Sequence, residues 1–164
     1  MGKDRLGRPI AYVHAKEHIK GQHPLESKEK LIILFIETAR LLIEPPVEEG
    51  TAIIDMFHIG FQNLDYQHIR FMINAMQNYY PEALGLGLVL NASWTFNTVW
   101  NVIKSWLDPV LASKIHFVKS SKELAEYINR VFFLKRLGGK QMDFKLRPPT
   151  KEDEALVKFF REDK

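Results

Sequence analysis

Four short apolar runs, at 10–14, 51–56, 86–90 and 115–118, alternate with longer segments whose apolar residues recur at helical spacing. Strands that alternate with helices predict an α/β layer structure with a mixed, substantially parallel sheet. The second run lies between Gly50 and Gly60 and carries Asp55, which suits a central strand with a capping or functional carboxylate at its end. Over 26–43, Leu31, Leu34, Phe35, Thr38, Leu41 and Leu42 keep helical spacing up to Pro45 and Pro46, and read as a heavily buried helix. Asp65 is a fitting N-cap for a second helix bearing Ile69, Met72, Ile73, Met76 and Tyr80 and stopped by Pro81. Ser121 is expected to cap another helix reaching to about Leu134 and ended by Gly138 and Gly139. A last helix is expected over 151–161, beyond Pro148 and Pro149.

Between the third and fourth runs lies an aromatic segment. At ~100° per residue, Phe96, Val99, Trp100, Val102, Ile103, Trp106 and Leu107 fall within an arc of about 160°, with Asn97, Thr98, Asn101, Lys104 and Ser105 opposite. Trp94 precedes this amphipathic helix, and Pro109 stops it just beyond Leu107. Such a stripe ordinarily packs into a core. Large indole rings also suit a surface that is sometimes covered and sometimes dipped into a membrane interface.

With 164 residues, 46% of them hydrophobic, the chain has material for one domain and its core. It has no cysteine, which excludes disulfides, thiol nucleophiles and Cys-based metal sites. No apolar run approaches the ~20 residues that span a bilayer. The first residues carry neither a hydrophobic signal core nor a myristoylation pattern, since Leu6 stands where Ser or Thr is needed. Net charge is +3 but uneven, with ten Lys/Arg against four Asp/Glu over 104–147. A basic region beside an aromatic helix suits an anionic membrane surface, and without a recognition motif or stacking platform nucleic acid is not expected.

Chemical motifs are scarce. His14, Glu17 and His18 match the H-x-x-E-H pattern of a zinc peptidase class, but they begin inside a strand rather than on one helical face. No nucleophile elbow, phosphate loop or dinucleotide fingerprint occurs, so no catalysis, cofactor or metal is expected. Asn91, Ala92 and Ser93 spell a glycosylation sequon at the end of a buried strand, and it is set aside. Glu82 and Lys114 each adjoin an apolar strand. As strand-end charges they could simply be solvated; pointing inward they would cost several kcal/mol each unless paired. Inward, a lysine would meet phosphate and a glutamate would accept from hydroxyls.

Taken in order, several motifs resemble the CRAL-TRIO lipid-binding domain, in its phosphatidylinositol-transfer branch. They are Asp4, Gly7, Arg8 and Pro9; Asp55 with Gly60; Tyr80, Pro81 and Glu82; Asn91 and Ala92 followed by Phe96 and Trp100; Leu107, Asp108 and Pro109; Ser113, Lys114 and Ile115; and Gly138 with Gly139. The resemblance implies a sheet forming the floor of a large apolar cavity, gated by the aromatic helix. It also implies a single phospholipid, phosphatidylinositol foremost, carried between membranes or presented to a lipid-modifying enzyme, by a cytoplasmic protein that binds membranes peripherally. By the same resemblance Glu82 and Lys114 contact the headgroup, and Ile69, Phe96, Trp100, Ile103, Trp106, Ile115 and Phe117 line the cavity and gate. A sterol, retinoid, tocopherol or other phospholipid is the alternative ligand, and a lipid-sensing interaction module the alternative role. Leu111 stands where the family has a phosphate-contacting threonine. Gly50 and Ala52 replace the Ser and Thr of phosphatidylcholine binders, so choline lipid is not expected. The small helical domain that usually comes first, with its headgroup arginine, is expected to be missing. The domain is placed at 1–147 and a short extension at 148–164.

Overall fold

Parallel pairing of the apolar runs builds one sheet, described by a computed structural model over residues 2–93, 96–137 and 139. Its strands are β1 (Ile10–His14), β2 (Gly50–Asp55), β3 (Leu84–Leu90) and β4 (Ile115–Val118), in the order β1-β2-β3-β4. Each neighbouring pair is parallel. The antiparallel pairings among the described residues are isolated bridges, Lys3 with Pro9 and Asp4 with Ile128. Trp94, Gly138, the helix expected over 151–161 and the boundary at 147 lie outside the described residues.

The crossovers are α1 (Leu25–Arg40), α2 (Tyr66–Asn78), and α3 (Phe96–Lys104) followed by α4 (Pro109–Ser113); α5 (Ser121–Tyr127) comes after β4. Strands added in one direction by right-handed crossovers put all the connecting helices on the same face. The buried clusters divide accordingly. Val89, Met56, Ile73, Phe96, Ile103 and Leu111 pack on that face, while Ile53, Leu86, Leu88, Leu90 and Val118 meet Leu124, Ile128 and Phe133 on the other.

Two helices depart from the sequence reading. α1 is not heavily buried: Ile32 and Ile36 are covered, but Leu31 is 63% and Phe35 42% exposed, as are Leu41 and Leu42. Among the described residues its covered side packs on α2 and the turn after it, through Ala75, Phe71, Met72, Met76, Tyr80 and Ala83, and Leu31 and Phe35 stay exposed. α5 ends at Tyr127 rather than near Leu134, and its N-cap is Ser120, which accepts from Glu123 N. Ile128 turns extended to bridge Asp4, and Asn129 starts a separate 3₁₀ turn by accepting from Val131 N. Pro109, expected as a stop, opens α4 at its first turn, where no N–H is needed.

Carboxylates tie the strand ends to the helices. Asp55 accepts from the Tyr12 hydroxyl at 2.8 Å, Asn91 Nδ2 at 2.8 Å and Phe57 N at 2.9 Å, joining β1, β2 and the exit of β3. Asp65 caps α2 as expected and also receives the buried Lys28 ammonium of α1 at 2.6 Å and His18 Nε2 at 3.2 Å. His18 stacks on His68 with centroids 4.2 Å apart. Burial would raise the Asp65 pKa, but the Lys28, His68 backbone and His18 hydrogen bonds outweigh it and hold it at about 2. Burial, reinforced by the neighbouring His18 and Lys28 and opposed by Asp65, pushes His68 down to about 4.

A histidine whose folded pKa is depressed stabilises above its unfolded value and loses that contribution as pH falls through the folded one. The melting temperature should therefore decline as pH drops from 6.5 toward 4. In His68→Gln, followed by thermal melts across the same interval, the decline should flatten; identical slopes would contradict the assignment.

Candidate functional site

The starts of the parallel strands share one edge of the sheet, and there the sequence places charges. A register shift between Gly50 and Thr51 pairs Gly50 with Leu84 and Thr51 with Leu86, leaving Gly85 as the extra residue of a bulge in β3. The Leu84 carbonyl accepts from Lys114 Nζ at 2.6 Å. The same ammonium donates to Glu49 Oε1 at 3.1 Å, and Glu49 Oε2 lies 3.7 Å from Arg8. Arg8 Nε donates in turn to Asp4 Oδ2 at 2.7 Å. A Cβ on Gly85 would press on the Glu49 and Arg8 side chains and displace them from their present positions.

Asp4 is the fixed end of this chain of charges. Its carboxylate is 7% exposed and accepts from Thr51 Oγ1 at 2.7 Å, Arg8 Nε, and the Leu6 and Arg8 amides at 2.9 Å. Burial pulls its pKa upward, yet the hydrogen bonds from Thr51 and Arg8 prevail and hold it below the usual carboxylate range. Two acids and two bases thus alternate from the buried end to Lys114, whose side chain is 19% exposed.

Glu82 stands apart. It is exposed just before β3, and Lys114 is engaged with Glu49 rather than reaching with Glu82 into a common cavity. The reason is electrostatic: a largely covered ammonium takes the nearest carboxylate, because leaving it unpaired costs several kcal/mol.

Beside this edge lies the aromatic helix. Ile69, Phe96, Trp100, Ile103, Trp106, Ile115 and Phe117 all come together in one apolar cluster between α2, α3 and the sheet. Trp100 meets Phe117 edge-on at 4.8 Å, and Phe96 tilts toward it at 6.1 Å. Trp106 meets Tyr66 at 5.8 Å with the Arg70 guanidinium 5.1 Å from its ring. The surfaces expected to enclose a ligand thus meet side chain to side chain, as apolar faces do when nothing polar keeps them apart. A cleft of about 300 Å³ stays open between α2 and the exit of α3.

His14 ends β1 and His18 follows a 3₁₀ turn, so the two do not share a helical face and the zinc-peptidase geometry is not formed.

Residues 1–139 match the CRAL/TRIO domain description. The chain belongs to that family. It is 43% identical over 139 residues to the CRAL-TRIO domain-containing protein C3H8.02 of Schizosaccharomyces pombe, covering 85% of this chain and 31% of that protein. It is 37% identical over 139 residues to the phosphatidylinositol transfer protein CSR1 of Eremothecium gossypii, covering 85% of this chain and 32% of that protein. The chain therefore spans about a third of the length of these relatives. The solved structure of Sfh5 shares the fold, with a TM-score of 0.67 over 94% of this chain and 59% of that one, at 19% identity.

In this CRAL/TRIO domain, Glu49 and the roles of Asp4 and Arg8 escaped sequence reasoning. Asp4 and Arg8 entered only as parts of a shared motif with no role attached, and Glu49 precedes β2 without any motif. The available signal was a charged residue one or two positions before every strand, Arg8, Glu49, Glu82 and Lys114, with Glu49 opposite in sign to Arg8 and Lys114. Asp4→Ala strips the buried acceptor from Arg8 and Thr51 and should cost about 3 kcal/mol in urea denaturation. Glu82→Ala should change stability by less than about 0.5 kcal/mol. Equal effects would contradict the division between a fastened and a free carboxylate.

Proposed function

We propose that this domain binds one phospholipid, phosphatidylinositol foremost, between the sheet and α3, and transfers or presents it between membranes. What carries the reading is the adjacency of Lys114, held by an exchangeable carboxylate, to an apolar cluster whose lid is a single short helix. Membership of the CRAL/TRIO family and the likeness to a phosphatidylinositol transfer protein support it.

The physical problem of transfer is solvation. Two acyl chains carry about thirty methylenes at ~0.8 kcal/mol each, which forbids a bare passage through water. Lifting α3 from the sheet would expose Phe96, Trp100, Ile103 and Trp106 along with Ile69, Ile115 and Phe117. Acyl chains can replace these contacts one for one. Opening is then favourable only where the aromatic face finds other cover, at a membrane interface, and is a population shift driven by differential affinity.

At the polar end, a lipid phosphate competes with Glu49 for Lys114. Glu49 keeps Arg8 as a second partner, so the exchange strands no charge. Glu82, exposed on the neighbouring strand start, is free to accept from headgroup hydroxyls. Leu111 offers no hydroxyl to the phosphate, so in this reading that group depends on Lys114. Transient contact with a membrane surface is part of this reading, and an enzyme that modifies the presented lipid fits it.

Lys114→Ala should lower phosphatidylinositol transfer between vesicles by about tenfold or more, the equivalent of one charge-assisted hydrogen bond. Its melting temperature should stay close to that of the unsubstituted chain. Unchanged transfer by a folded variant would remove Lys114 from the headgroup site.

A further inference from the structure

The open cleft between α2 and the exit of α3 lies outside the strand-start cluster. It is lined by Arg70, Ile73, Asn74, Gln77, Ser105 and Trp106 and has a volume of about 300 Å³. Arg70, Asn74 and Gln77 recur at i, i+4 and i+7 and so share one side of α2. None of the lining residues is acidic, and among the described residues no carboxylate lies within ion-pair distance of Arg70.

The hydrogen-bond inventory is one-sided. Gln77 Oε1 is taken by Asp108 N at 2.7 Å, and Asn74 Oδ1 by Asn78 Nδ2 at 2.7 Å. Both side chains therefore keep their NH₂ groups to donate. Ser105 spends its proton on the Val102 carbonyl at 2.7 Å. The nearby Asp108 carboxylate caps α4 through Leu111 N at 2.7 Å. Arg70 is exposed, with its guanidinium carbon 5.1 Å from the centre of the Trp106 ring. What remains is a concave site with a cation, an excess of N–H donors and a volume at the lower end of small-ligand pockets.

We propose that this cleft binds a phosphate-bearing group, through Arg70 with the Asn74 and Gln77 amides, at a place separate from Lys114. The group could be supplied by a soluble phosphate ester or by a lipid headgroup bearing a phosphate monoester, which present the same oxygens. Occupancy would fix Arg70, and with it the Trp106 ring beneath the guanidinium at the exit of α3. A phosphate there is thus placed to steady the lid from its C-terminal end. The binding claim stands independently of lipid transfer: loss of transfer with phosphate binding intact would sink only the reading above.

The test is a titration of the ¹⁵N-labelled full chain with inorganic phosphate, against sodium chloride at matched ionic strength. Saturable shifts are expected for the amides of Asn74, Gln77 and Ser105 and for the Trp106 indole, with affinity reduced about tenfold or more in Arg70→Gln. Asn74→Asp, an exposed change that sets a carboxylate in the cleft, should abolish them, while Lys114→Ala should leave them in place. In a second arm, phosphatidylcholine vesicles with and without phosphatidylinositol 4-phosphate are compared for Arg70-dependent binding. Retention on the phosphorylated vesicles assigns the source to a lipid headgroup, and a response to inorganic phosphate alone assigns it to a soluble ester. Shifts reproduced by chloride, or the lack of any Arg70-dependent response in both arms, would overturn the proposal.

Discussion

Phe96 and Ile103 escape water by lying among Val89, Ile73 and Leu111, and Trp100 by meeting Phe117 on β4. That contact lays a helix of only nine residues on part of the face that α2 and α4 also cover. Among the described residues, the exit of α3 is secured by Trp106 against Tyr66 and Arg70 and by the Gln77 hydrogen bond to Asp108 N. A short helix held mainly by non-directional apolar contact can exchange those contacts for others of the same kind. The opposite side of the sheet has no such device, because α5 and the turns after it cover β1 to β4 through Leu124, Ile128 and Phe133 and are stitched to the N-terminal loop by the Asp4 bridge.

Polar bonding fixes the rest of the frame. Asp55, Asp65 and Asp4 are each nearly inaccessible, and each gathers donors from separate parts of the chain. These bonds are directional and costly to break, so they fix the sheet and the N-terminus of α2 by geometry, whereas α3 is held by apolar contact. At the strand starts the alternation of Asp4, Arg8, Glu49 and Lys114 grades from buried to accessible. Its outer member is the one able to change partner without stranding a charge inside.

The layer architecture was legible because each strand is an apolar run, and α3 because its aromatic residues fall on one side at helical spacing. Asp65 was readable as a cap from its position before an amphipathic stretch. What the sequence did not disclose depends on partners distant along the chain. Lys114 and Glu49 are 65 residues apart and share no motif. The bulge at Gly85 arises from how β3 registers on β2, which apolar alternation in a Leu-Gly-Leu-Gly-Leu run leaves undetermined. The outward stripe of α1 was misread because periodicity reports that a helix has an apolar side and not what covers it. The early end of α5 follows from Ile128 joining Asp4, a tertiary demand that overrides local helical preference.

The proposed lipid binding requires that a lipid take the place of α3's contacts with the sheet. Native mass spectrometry of the protein purified from cells, followed by solvent extraction and identification of the released molecule, addresses this directly. One phospholipid per chain, with phosphatidylinositol the main species, is the expected result. A chain that carries no lipid and gains none on incubation with phosphatidylinositol vesicles would contradict it.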